Sequence, residues 1–160
     1  MRSSPSCRKR FRQESNGMII ESYSAEDTFL CGYRYGQKAE AGEVYCLYGD
    51  LGVGKTVFTQ GFAKGLGIEE PVNSPTFTIL QVYEDGRLPF YHFDVYRISD
   101  PDEMYEVGFD EYVDGEGVTF IEWADLIEEI LPEGCTEITI EKDLSRGFDY
   151  RRITIKEEEA

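Results

Sequence analysis

At 160 residues the chain has the length of one domain with its own core. It carries 32 acidic against 16 basic residues, a formal net charge of −16, which sets it against direct, extensive contact with a nucleic-acid backbone. Four scattered cysteines with no C-x-x-C pair, beside the single His92, make a poor zinc site, and no stretch approaches the roughly 18 apolar residues of a membrane span.

The charge is uneven along the chain. Arg2, Arg8, Lys9, Arg10 and Arg12 face only Glu14 in residues 1–17, a local +4 that leaves −20 for residues 18–160. This basic leader lacks the apolar centre of a secretory signal. It is either a basic arm for RNA or an acidic partner or, the reading favoured here, a disordered extension or an over-long start with Met18 an alternative initiator, ahead of a single domain over 18–160.

Met18–Glu21 is a first strand. Ser24-Ala-Glu-Asp27 then resembles a capping box, opening a helix over 25–39 with Phe29, Leu30 and Tyr33 on one face. Tyr45–Tyr48 is an apolar, buried strand in which Cys46 serves as a small apolar residue. It runs into Gly49-x-x-x-x-Gly54-Lys55-Thr56, a complete phosphate-binding loop. Gly49, Gly52 and Gly54 permit positive φ, so that successive N–H groups across Gly49, Asp50, Leu51, Gly52, Val53 and Gly54 converge on phosphate oxygens. Lys55, with its side chain facing solvent, meets the β- and γ-phosphates, and the Thr56 hydroxyl is the expected Mg²⁺ ligand. The helix over Val57–Leu66 adds its positive dipole end. Phe58, Phe62 and Leu66 form its apolar stripe, Gly61 and Gly65 allow close approach to a sheet, and Gly67 stops it.

After a polar stretch, Gly67–Pro75, the strands Thr76–Tyr83 and Phe90–Tyr96 form a hairpin about an Asp85-Gly86 turn. Asp102–Val107 is a short helix ending at Gly108. Val118–Ile121 is a buried strand that delivers Glu122 and Trp123, Ala124–Ile130 is helical and stopped by Pro132, and Glu137–Glu141 with Arg151–Ile155 closes as a hairpin. The sum is an α/β fold, a three-layer domain of the P-loop NTPase type with a mixed central sheet.

Such a loop needs a carboxylate on its metal side. Asp94 and Glu122 each end an apolar strand, where open α/β sheets place ligand contacts. Either acid can hold Mg²⁺ or orient an attacking water. In Ser74-Pro-Thr-Phe-Thr78, Thr76 either senses a γ-phosphate as a GTPase switch does or serves ordinary Ser-Pro turn chemistry. No Asn-Lys-x-Asp guanine-reading segment occurs, which favours ATP over GTP. A nucleotide-dependent protein with reduced thiols fits the cytosol.

Tyr48-Gly-Asp-Leu-Gly-Val-Gly-Lys-Thr56, Ser74-Pro-Thr-Phe-Thr78, Tyr91-His-Phe-Asp-Val-Tyr-Arg97, Gly108 and Ile121-Glu-Trp123 together resemble, in order and spacing, the bacterial TsaE (YjeE) family. The resemblance spans residues 20–155, and its Phe-Asp-x-Tyr-Arg and Ile-Glu-Trp segments are far more specific than the phosphate loop. It implies the small Mg-ATP-dependent ATPase of tRNA threonylcarbamoyladenosine biosynthesis, slow alone and working with a TsaD–TsaB complex. That complex modifies the adenosine beside the anticodon of ANN-decoding tRNAs, and ATP hydrolysis resets it between turnovers, so tRNA is met only indirectly. By position, Lys55 and Thr56 belong to the phosphates and Mg²⁺, Glu122 is the metal-side acid, Asp94 the acid needed for hydrolysis, and Thr76 the switch-like threonine. Trp123 lies beside the nucleotide or simply packs at the strand end. Two rivals remain on sequence grounds: a small-molecule or nucleoside kinase, which would want an arginine-bearing lid from Arg97 or the Arg146, Arg151, Arg152 group, and a nucleotide-gated binding module with negligible turnover.

Overall fold

A computed structural model describes residues 12–14, 17–50, 52–75 and 77–157. Leu51, Thr76 and residues 1–11, with most of the basic leader, lie outside the described residues. The strands are β1 (Arg12–Glu14), β2 (Gly17–Ser22), β3 (Val44–Tyr48), β4 (Leu80–Tyr83), β5 (Phe90–Asp94), β6 (Val118–Glu122), β7 (Thr136–Lys142) and β8 (Arg151–Glu157). Among the described residues they form one sheet in the order β1-β2-β8-β7-β3-β6-β5-β4. The central four, β7, β3, β6 and β5, run parallel, and antiparallel partners extend both edges. This is the mixed α/β sheet expected from the sequence.

Continuous apolar runs are what a strand covered on both faces requires, and β3 and β6 have them. Alternation then sorts their side chains. Tyr45, Leu47 and Phe120 point into one core with Phe58, Phe62 and Phe90. Val44, Cys46 and Ile121 point into the other with Phe93, Met104, Phe109 and Ile127. The first core lies beneath helices α1 (Ala25–Lys38) and α2 (Lys55–Gly65), the second beneath α3 (Glu103–Glu106), α4 (Phe109–Val113) and a 3₁₀ segment over Ala124–Ile130. Cys31, Cys46 and Cys135 are buried, and burial pushes the Cys31 thiol up to about 12. Among the described residues no helix is long and apolar enough to cross a membrane.

Ser24 caps α1 by accepting from the Asp27 amide, while the Asp27 carboxylate accepts from the Tyr23 amide, one residue earlier than a capping box would have it. The buried face of α1 differs from the expected one. It consists of Thr28, Cys31, Gly32 and Gly36, and Leu30 is exposed. Gly61 and Gly65 likewise approach α1 rather than the sheet. A Cβ on Gly32 would stand 2.3 Å from the Phe58 carbonyl oxygen, and one on Gly61 2.1 Å from that of Phe29. The two helix backbones touch through these glycines, so bulky residues are forced to the rim of the contact. Gly61→Ala is therefore expected to destabilise by about 2 kcal/mol, the overpacking cost exceeding the roughly 1 kcal/mol by which alanine favours a helix. Urea unfolding checks this; a midpoint at or above wild type would contradict the backbone contact.

Three local expectations change. The strand anticipated from Thr76 starts at Leu80, because the Ile79 amide turns back to the Pro75 carbonyl at 2.8 Å and Ile79 takes a positive φ of 71°. Its partner ends at Asp94, whose carboxylate accepts from the Tyr96 amide and breaks the extended run. After Gly108, with φ 82°, a second short helix, α4, follows α3.

Candidate functional site

The phosphate-loop segment leaves β3 and turns into α2 through Gly49, Gly52 and Gly54, with φ of 150°, 80° and 104°. No side chain caps α2 at Gly54, so its first amides and its dipole are presented at the loop. Val53 contributes only main chain there. Its side chain is in the core, and its carbonyl accepts from Arg151 Nε at 2.7 Å, which pins the loop to β8. Asp50 is exposed.

Lys55 is not solvent-facing. It is 6% exposed, donates from Nζ to the Gly49 carbonyl at 2.6 Å, and sits 3.5 Å from the centroid of the Trp123 ring. Burial lowers its pKa, and the negative charges of Glu122 and Asp94, then Asp50 and Asp125, oppose the shift. Thr56, one residue on, is exposed.

Asp94 and Glu122 are register partners at the ends of β5 and β6, so their side chains leave the sheet on the same face, the one that α2 covers. Each is 3% exposed. Asp94 accepts from Ser74 Oγ at 2.6 Å and from the Tyr96 amide at 3.0 Å. Glu122 Oε2 lies 2.8 Å from His92 Nε2. Trp123 holds a positive φ of 64°, a costly conformation for an aromatic residue. Its ring packs on Tyr96 with centroids 4.8 Å apart.

These groups line one open cleft of about 490 Å³: Gly52, Gly54, Lys55, Thr56, Asp94, Glu122 and Trp123, joined by Ser74, Tyr96 and Arg97. A lysine beside the uncapped N-terminus of α2 suits phosphate oxygens. One hydroxyl and two carboxylates suit a hard cation that keeps some ligands from phosphate and water. Among the described residues there is no cluster of three or more His, Cys, Asp or Glu that could hold a metal ion.

The family model described as "Threonylcarbamoyl adenosine biosynthesis protein TsaE" matches residues 22–153. The chain belongs to the TsaE family. The protein named tRNA threonylcarbamoyladenosine biosynthesis protein TsaE from Bacillus subtilis (strain 168) is 55% identical over 72% of this chain and 70% of its own length. Its namesake from Treponema pallidum (strain Nichols) is 45% identical over 86% of this chain and 99% of its own. A crystal structure of Bacillus subtilis YdiB superposes with a TM-score of 0.77 at 42% identity, covering 89% of this chain and 86% of that one. The TsaE match takes in every residue of the cleft and leaves the leader outside.

Thr76 and Leu51 lie outside the described residues, although Ser74 lines the cleft and Phe77 stacks under Arg97 at 4.7 Å. Sequence reasoning gave Ser74, His92 and Tyr96 no part in this cleft. For His92 a signal existed: it stands two residues before Asp94 on a strand, and so on the same face.

Proposed function

We propose that this TsaE-family chain is a Mg-ATP-binding ATPase that serves threonylcarbamoyladenosine modification of ANN-decoding tRNAs. It works with a TsaD–TsaB type complex, which it resets by hydrolysis. The observation that carries this reading is the convergence of Lys55 and Thr56 with Asp94 and Glu122 on one cleft, from three neighbouring strand ends.

The loop amides and α2 receive the phosphates, and Lys55 exchanges the Gly49 carbonyl and the Trp123 face for β- and γ-phosphate oxygens. Thr56 and Glu122 would hold the cation. When bound there, Mg²⁺ would supply positive charge to offset that of the phosphates. Asp94, fixed by Ser74 and the Tyr96 amide, orients the attacking water and takes up its proton. Thr76 acts from the Ser74-Pro-Thr-Phe-Thr78 segment as the switch-like threonine, and Trp123 lies beside the nucleotide.

The kinase alternative wants a mobile arginine-bearing lid. Arg151 is instead committed to the Val53, Phe148 and Tyr150 carbonyls, and Arg146 to Glu21 at 3.0 Å. Arg97 lines the cleft but lies over Phe77, so among the described residues no arginine is committed to clamping the transition state, and the lone protein is expected to turn over slowly. ATP turnover is expected to rise at least about tenfold with the TsaD–TsaB complex. The association should weaken with salt, since attraction to an acidic body is screened beyond about 8 Å at physiological ionic strength. Paired titrations of turnover test both points. Stimulation by a small acceptor and none by the complex would establish the kinase instead.

A further inference from the structure

Behind Glu122 stands a buried group that the proposed mechanism does not use. His92 is 1% exposed, and its ring is held by Phe90, stacked at 5.8 Å and 22°, and by the edge-on Phe120 at 6.1 Å and 74°. Nε2 lies 2.8 Å from Glu122 Oε2, while Nδ1 is buried with no hydrogen-bond partner among the described residues. An orphaned N–H is the costlier of the two ways to leave Nδ1 unpaired. A carboxylate only accepts, so Nε2 carries the proton of this contact and donates to Glu122.

We propose that His92 is a positioning residue for Glu122. It occupies Oε2 from inside the core and fixes the carboxylate in the rotamer that lines the cleft, leaving Oε1 as the oxygen not committed to His92. The register explains why this residue can do so. His92 pairs with Phe120 and Asp94 with Glu122 on adjacent parallel strands, so His92 is the diagonal neighbour of Glu122 on the same face. The aromatic walls remove ring freedom, and a hydrogen bond from a locked ring removes carboxylate freedom in turn. Outer-shell partners of this kind set how well a carboxylate serves a cation, and losing one costs about 10- to 100-fold in metal affinity.

The proposal rests on Glu122 being the metal-side acid, and the test separates the two ideas. ATP binding is measured by calorimetry across a Mg²⁺ series for wild type, His92→Phe, His92→Gln and Glu122→Gln. Phenylalanine fits the aromatic surroundings but donates nothing, whereas glutamine places an N–H near the position of Nε2. His92→Phe should need about tenfold more Mg²⁺ for half-maximal enhancement of ATP binding, with metal-free affinity unchanged, and His92→Gln should restore most of the response. A purely structural role would lower stability in both His92 variants without moving the Mg²⁺ response.

If Glu122→Gln shifts the Mg²⁺ response and a folded His92→Phe does not, the positioning role is wrong while the role of Glu122 stands. If neither shifts it, the role of Glu122 fails and takes the proposal with it. Should His92→Phe not fold, the wild-type protein still decides. Its sole histidine gives one imidazole in long-range ¹H–¹⁵N spectra. The Nε2–H tautomer in wild type, with its signals displaced in Glu122→Gln, supports the proposal, and an Nδ1–H tautomer overturns it.

Discussion

Replacing Lys55 with alanine is expected to weaken ATP binding by roughly 150-fold, about 3 kcal/mol, while leaving the protein folded. The loss is large because the nearly buried ammonium would meet phosphate in a site that little water can screen. The fold should survive because the charge is held by weak partners, one carbonyl and the face of Trp123. Removing it forfeits that hydrogen bond, the cation–π contact and the attraction of Glu122 and Asp94, but also relieves the desolvation that depresses its pKa. The two effects oppose each other, and the melting temperature should move by only a few degrees. Calorimetric titration with ATP, after circular dichroism has established the fold, measures both halves. Unchanged affinity in a folded variant would remove the phosphate role from this lysine.

Much of this cleft could be read in the chain because phosphate chemistry acts locally. A loop that wraps oxygens with amides needs glycine at set places, and a lysine and a hydroxyl must follow at once, so one short window carries the signal. Asp94 and Glu122 were legible for a related reason: each ends a run of apolar residues that only a buried strand explains. What escaped depends on neighbours distant in sequence. The Gly61 and Gly65 stripe looks the same whether the opposing surface is a sheet or a helix, and only the fold brings Gly32 and Gly36 against it. Helix α4 has five residues, too few to display a period. The alternation in Thr76–Tyr83 was real, but Pro75 and Ile79 close a turn within it. The seat of Lys55 on Trp123 joins the segments that follow β3 and β6, and no local pattern announces it.

The second large effect concerns Asp94. Asp94→Asn is expected to bind Mg-ATP with near wild-type affinity and to lose about 100-fold or more in turnover. The two hydrogen bonds described for the carboxylate survive the change. An amide oxygen still accepts from the Tyr96 amide, and Ser74 Oγ, now a donor, can rotate to accept from the new NH₂. Position is kept while the ability to take a proton is lost, so the variant isolates chemistry from binding. Glu122→Gln should divide the effects the other way, blunting the Mg²⁺ dependence of binding first, because an amide is a poorer ligand for a hard cation. Single-turnover rates and Mg²⁺ titrations on the two variants resolve the pair. If Asp94→Asn hydrolyses within about threefold of wild type, proton uptake belongs elsewhere in the cleft, and Asp94 is left with its hydrogen bonds to Ser74 and Tyr96 as its role: holding Ser74 against the end of β5.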